Sequence, residues 1–179
     1  MEVLADRDCR KHQDHGCPMT DAAHNTQRRI LIVDDIEDNR FVLDRHLKRA
    51  GFATEMCEDG MSAIRMISES MPDLVLLDWM MPGISGLETL QAIRETHDEN
   101  RLPVIMCTAL GEESSIVVAI KAGANDFVMK PINFPILMAR LKSQLLRKEA
   151  MDSLQRENSD LENTLTQRTR DLMNSRKEP

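Results

Sequence analysis

The chain has 179 residues, 30% of them charged and 41% hydrophobic, and a net charge of −7. That length allows one domain of ordinary size with a real core, plus extensions. No apolar run approaches the ~18 residues of a membrane span, and the charged N-terminus lacks a signal peptide's apolar segment. The expected location is cytoplasmic, where thiols stay reduced.

The charge is uneven. Residues 30–146 hold eleven basic and eighteen acidic side chains, whereas the two flanking segments are each balanced. An acidic core argues against direct DNA binding by this part of the chain. It is compatible with a divalent cation.

Residues 1–28 lack hydrophobic periodicity and are expected to form a disordered leader. Cys9, His12, His15 and Cys17 lie close together there, but their spacing is irregular and no periodic element supports a zinc site. Cys57 and Cys107 fall in apolar strand-like runs and are expected to be small core residues.

Ile30 to Val33 is the first buried strand, ending at Asp34-Asp35. A helix is expected from about Asp38, with Val42, Leu43, Leu47 and Ala50 inward and Gly51 closing it. Ala53 to Glu58 is shorter and more polar, as at a sheet edge. Asp59 can cap a second helix, with Ala63, Ile64 and Ile67 toward the core.

Leu74 to Leu77 is four apolar residues in a row, a strand buried on both faces, and it stops at Asp78. Ser85 with Glu88 is a capping box for a helix reaching about His97, striped by Leu87, Leu90 and Ile93. Val104 to Cys107 is another buried strand, stopping at Thr108. A helix over 113–122 is closed by Gly123, and a last strand over 125–129 ends at Lys130-Pro131. Asn133 caps the final helix, with Pro135 in its first turn.

Five strands alternating with five helices predict an α/β fold: a doubly wound parallel sheet with right-handed crossovers. Three uniformly apolar strands and two mixed ones suit the order 2-1-3-4-5, with the mixed strands at the edges. In a parallel sheet the strand ends share one rim. Asp34, Asp35, Asp78, Thr108 and Lys130 therefore converge. Three carboxylates together repel unless a cation neutralises them, and oxygen ligands suit Mg²⁺ (or Mn²⁺). A carboxylate beside such a cation, a lysine and a hydroxyl can attack phosphorus.

The motifs LIVDD (31–35), LLDWMMPGISG (76–86), TA (108–109) and KP (130–131) resemble the receiver domain of bacterial two-component response regulators, over about residues 29–147. The resemblance implies the flavodoxin-like order of that fold. It implies that Asp78 accepts a phosphoryl group from a histidine kinase or phosphotransfer protein. It implies that Asp35, Asp78 and the backbone carbonyl of Met80 bind Mg²⁺ directly and Asp34 binds it through water. Thr108 and Lys130 would hold phosphoryl oxygens, and Phe127 would be the aromatic switch residue. Met80 and Leu110 fall where the family's attacking water passes, and two apolar side chains there imply slow self-dephosphorylation. An aspartate-nucleophile phosphatase would need an acidic residue two positions after Asp78, where this chain has Met80. A degenerate scaffold is the other alternative, disfavoured by the complete residue set.

From Leu145 to Met173 there is no proline or glycine. Met151, Leu154, Asn158, Leu161, Leu165, Arg168 and Leu172 alternate at spacings of three and four, which predicts a helical coiled-coil extension over 148–179 and a homodimer. Residues 161–172 also resemble the linker helix before cyclic-di-GMP or nucleotide cyclase output domains. The chain is therefore either a single-domain regulator or a receiver-linker fragment of a larger one.

Overall fold

The computed structural model describes residues 27–109 and 113–175, with side chains over 27–109 and 116–168. The leader residues 1–26, including the Cys/His cluster, lie outside the described residues. So do Leu110 and the side chain of Leu172.

Five strands and five helices alternate in chain order. They are β1 (Arg29–Val33), α1 (Glu37–Arg49), β2 (Ala53–Cys57), α2 (Gly60–Glu69), β3 (Leu74–Asp78), α3 (Gly86–Thr96), β4 (Val104–Ala109), α4 (Glu113–Lys121), β5 (Asp126–Lys130) and α5 (Phe134–Ser175). All pairings are parallel, and the strand order is β2-β1-β3-β4-β5, as the alternation predicts. No described helix is long and apolar enough to cross a membrane.

The three central strands are buried because helices cover both faces. One core unites alternate residues of β1 and β3, such as Leu31, Val33, Val75 and Leu77, with Leu90 and Ile93 of α3. The other unites Ile30, Ile32, Leu74 and Leu76 with Leu43 and Leu47 of α1 and Leu137 and Leu141 of α5. Each fully buried Leu or Ile contributes roughly 1.5–3 kcal/mol. β2, at the edge, is only partly buried throughout.

The local signals act as expected. Asp59 accepts from the Ser62 amide (2.8 Å) and hydroxyl (2.9 Å) at the start of α2, which holds its carboxyl below the usual value. Ser85 and Glu88 form the reciprocal capping box of α3, and the Asn133 side chain accepts from the Ile136 amide (3.3 Å) in the first turn of α5. Cys107 is buried and Cys57 half-buried. Burial pushes both thiols up to about 12, consistent with their expected place as packing residues.

Two inward assignments on α1 are corrected. Val42 is 48% exposed and Ala50 is also exposed. The helix meets the sheet only along Leu43 and Leu47, a stripe narrower than its apolar content. Strand bounds also differ. Asp78, Thr108 and Lys130 lie within β3, β4 and β5 rather than one step beyond them, because the ladder carries the pairing to Asp78–Cys107, Thr108–Met129 and Ala109–Lys130.

Arg94 fastens the end of the sheet away from those residues. It donates to the carbonyls of Gly123 (2.8 Å), His97 (3.2 Å) and Leu102 (3.0 Å) and to the Asn125 side chain (3.0 Å). Arg94→Met keeps the aliphatic stem but strands these acceptors, so a loss of about 2 kcal/mol is expected in urea unfolding. A loss below about 0.5 kcal/mol would mean that water replaces the guanidinium.

Candidate phosphoacceptor site

The site is assembled by register. Val33 pairs with Leu77, so the residues that follow, Asp34 and Asp78, emerge side by side from β1 and β3. Asp78 pairs with Cys107, one residue before Thr108. Asp34, Asp78 and Thr108 are each at most 5% exposed. Asp35 is exposed. One carboxylate oxygen from each of Asp34, Asp35 and Asp78 falls in a cluster no more than 4.8 Å across.

Lys130 comes from the far side, at the end of β5, followed by a cis peptide bond to Pro131. Its Nζ lies 2.8 Å from Asp34 Oδ2 and 2.8 Å from Asp78 Oδ1. Burial pushes the ammonium down, but the two carboxylates outweigh it and hold Lys130 above its usual value. Asp78 shows the opposite balance. Burial pushes its carboxyl up, the Lys130 contact pulls it down, and the Asp34 charge adds to the rise. The net effect is a carboxylate held above its ordinary range, in a site with more negative charge than one lysine balances.

Asp34 is held in place by its own loop. Its carboxylate accepts from the Ile36 amide (2.9 Å) and from the Asn39 side chain (3.0 and 3.2 Å). It thereby takes over the N-terminus of α1, whose N-cap residue Ile36 makes no side-chain cap. The Asp34 carbonyl accepts from Arg40 at 2.5 Å. Asn39 was not legible as a site residue, since it does not stand at a strand end. The only sequence signal was its place in the first turn of the helix after Asp34-Asp35.

The loop after Asp78 is fixed by Gly86. A Cβ there would lie 1.9 Å from the Asp78 carbonyl oxygen. The Gly86 amide donates to the Trp79 carbonyl (3.0 Å), and the Trp79 amide donates to the Cys107 carbonyl (2.9 Å). Trp79 is partly buried against the core beside Asp78, while the Met80 side chain is 63% exposed.

Phe127 sits in β5, packed against the face covered by α2, α3 and α4. Its ring also lies under the Arg140 guanidinium of α5, 5.1 Å from the centroid, and Arg140 pairs with Asp126. The ring thus touches both the core and the last helix.

The donor set fits a small hard cation: carboxylate oxygens from three residues converge, and no sulfur or imidazole among the described residues joins the cluster. Asp34, Asp35 and Asp78 would hold Mg²⁺.

Comparison with known proteins agrees. The response regulator receiver domain family matches residues 30–142. The phosphate regulon transcriptional regulatory protein PhoB of Rhizobium meliloti (strain 1021) is 42% identical over 119 residues, covering 66% of this chain and 52% of the relative. This chain therefore spans about half the length of the PhoB relatives it matches. A two-component response regulator from Clostridium difficile superposes with a TM-score of 0.63 at 30% identity, covering 68% of this chain and 98% of that structure. A structure described as a two-component system response regulator/GGDEF domain protein superposes with a TM-score of 0.67 at 25% identity, covering 70% of this chain and 52% of the other. With its acidic pocket at the rim of a 2-1-3-4-5 sheet, the chain belongs to the response regulator receiver family, whose members are phosphoacceptors rather than catalysts.

Proposed function

We propose that Asp78 is the residue phosphorylated by a partner histidine kinase or phosphotransfer protein, and that the change is passed to the C-terminal helix. The observation that carries this is the pair of 2.8 Å contacts from Lys130 to Asp34 and Asp78, at the ends of three different strands. They gather the charges that phosphoryl transfer needs around one buried carboxylate.

In the reaction, an Asp78 carboxylate oxygen forms a bond to phosphorus while the bond from phosphorus to the donor's histidine nitrogen breaks. Asp34, Asp35 and Asp78 would hold the cation, with the Met80 backbone carbonyl as a further oxygen. Bound Mg²⁺ would neutralise the carboxylates and the phosphoryl oxygens together. Lys130, released from one carboxylate, pairs with a phosphoryl oxygen, and the Thr108 hydroxyl donates to another. Phe127, which touches the core and Arg140, would follow a movement of Thr108. The exposed Met80 side chain offers no group to activate water, in keeping with slow self-dephosphorylation.

The surface of α1 is the proposed docking region for the phosphoryl donor. Arg40, Phe41 and Asp44 lie on that helix, and Arg40 is engaged with the Asp34 carbonyl. Asp44 is engaged with Lys48 and Thr54. Phe41 is 54% exposed, beside exposed Val42, and is the better anchor.

The division we favour is a receiver over 29–147 and a helical extension over 148–179 that carries the output by homodimerisation. The alternative is a receiver-linker piece of a regulator with a cyclic-di-GMP or nucleotide cyclase effector. It is favoured by the resemblance of Gln167 to Leu172 to such linkers and by the fold likeness to a receiver/GGDEF protein. Direct DNA binding is not expected of residues 30–146, which are acidic.

Incubation with acetyl phosphate and Mg²⁺ should add one phosphate to the intact mass, stable over minutes, with a change in Trp79 fluorescence. Asp78→Asn should remove the added mass and the time-dependent part of the fluorescence change. Phosphorylation of Asp78→Asn at the wild-type rate would overturn the assignment. Continuous phosphate release would favour a phosphatase, and no labelling of a folded wild type would favour a scaffold.

A further inference from the structure

We infer that the C-terminal helix pairs in parallel with a second copy of this chain, and that Glu157 and Glu162 keep this pairing too weak to form without help from the receivers. The inference rests on the homodimer reading above and adds its orientation and its control.

α5 continues without a break to Ser175. Its last buried contacts with the domain are Leu145 and Lys148. Lys148 Nζ approaches the Asp73 carbonyl at 3.5 Å, while Arg28 bridges Asp73 (3.2 Å) and Glu149 (3.5 Å). Beyond this clamp the helix runs for about 40 Å at 1.5 Å per residue. The stripe that packs on the sheet, through Leu137, Leu141 and Leu145, continues as Asp152, Gln155, Ser159 and Glu162, which is polar. A different stripe is apolar: Met151 (40% exposed), Leu154 (56%) and Leu161 (56%). It lies roughly a third of a turn around the helix from the packed stripe, so the domain leaves it accessible.

Asn158 stands within that stripe and selects the occupant. A seam amide is satisfied best by the same amide at the same level of an identical, parallel helix, which fixes a two-stranded register. A partner with an apolar residue there would leave the amide unpaired.

The flanks then set the strength. In a parallel coil, the residue just before one seam position faces the residue five further on in the other strand. Glu157 of one copy therefore faces Glu162 of the other, twice by symmetry. Up to residue 168, the other flanking positions, Ala150, Gln155 and Thr164, are neutral. No basic residue among these positions faces Glu157 or Glu162, and Asn158 weakens the seam further. A few apolar layers with that handicap form a helix pair that needs the receivers' contribution.

The test uses the full chain in sedimentation equilibrium with Mg²⁺, with and without beryllofluoride as the phosphoryl mimic. Wild type is expected to be monomeric without the mimic and to dimerise with it. E157K and E162K each turn both repulsions into attractions, and should dimerise about tenfold tighter without the mimic. The double variant E157K/E162K sets lysine against lysine and should return to the wild-type affinity. Circular dichroism checks that helicity is unchanged. A mimic-driven dimer that neither single variant tightens, or that the double variant tightens most, overturns the parallel register and leaves the homodimer reading standing. A chain that stays monomeric in every variant and condition overturns both, and phosphorylation of Asp78 is still read separately by mass.

Discussion

Lys130→Met is expected to cost the metal-free protein about 3 kcal/mol of folding stability at pH 8. Lys130 is the one cation within 3 Å of the Asp34 and Asp78 carboxylates among the described residues, and both carboxylates are buried. Methionine fills the space of the stem but leaves two neighbouring negative charges without compensation. The pH dependence follows from the directions of the shifts. The Lys130 value is raised, so its stabilisation is complete below its unfolded value and fades only as pH rises through the folded one. Between pH 5 and 8 it stays charged. The Asp78 value is also raised, so keeping that carboxylate ionised costs stability above its folded value, and the cost fades as pH falls through it. Removing the ammonium raises Asp78 further, so the deficit of Lys130→Met should shrink from pH 8 toward pH 5. Mg²⁺ should restore part of it. Urea unfolding at both pH values, with chelator and with Mg²⁺, reads all three effects. A deficit indifferent to pH and to Mg²⁺ would mean that Lys130 acts through packing and not charge.

Gly86→Ala should be equally costly for a steric reason. The new methyl carbon would overlap the Asp78 carbonyl oxygen at 1.9 Å and press on the Trp79 Cα at 3.0 Å. These are backbone atoms held on the other side by the Trp79–Cys107 hydrogen bond, so they cannot yield as a side-chain tip would. A loss of about 3 kcal/mol is expected, with slower labelling by acetyl phosphate because the strand end carrying Asp78 must move. Gly83→Ala is the control. It has φ +82° but nothing within 4 Å of the added carbon, so it should cost only about 1 kcal/mol of backbone strain. Equal stability losses in the two variants would show that the close approach to Asp78 is relieved cheaply.

Both predictions concern groups that local sequence pattern reveals only in part. The strand-ending carboxylates were legible because a four-residue apolar run followed by Asp is a local signal, and because parallel pairing puts all such ends on one rim. Lys130 was legible for the same reason. Its bridging of Asp34 and Asp78 was not, since which side chains meet across three strands depends on register and on side-chain length. Gly86 stands within the LLDWMMPGISG motif, but its contact with the Asp78 carbonyl belongs to the folded loop. Asn39 carried no strand-end signal, yet it holds Asp34 in position.

The sequence by itself determined the alternation of strands and helices, the strand order and the caps at Asp59, Ser85 and Asn133. Each of these rests on residues adjacent in the chain, or on strands that must be apolar on both faces. Tertiary structure decided what faces water and what touches what. It turned Val42 and Ala50 outward and made Asp34 the anchor of α1. It placed Lys130 between two carboxylates and buried Lys148 where the last helix leaves the domain. Burial and charge balance are set by neighbours distant in sequence, and a local pattern cannot encode them.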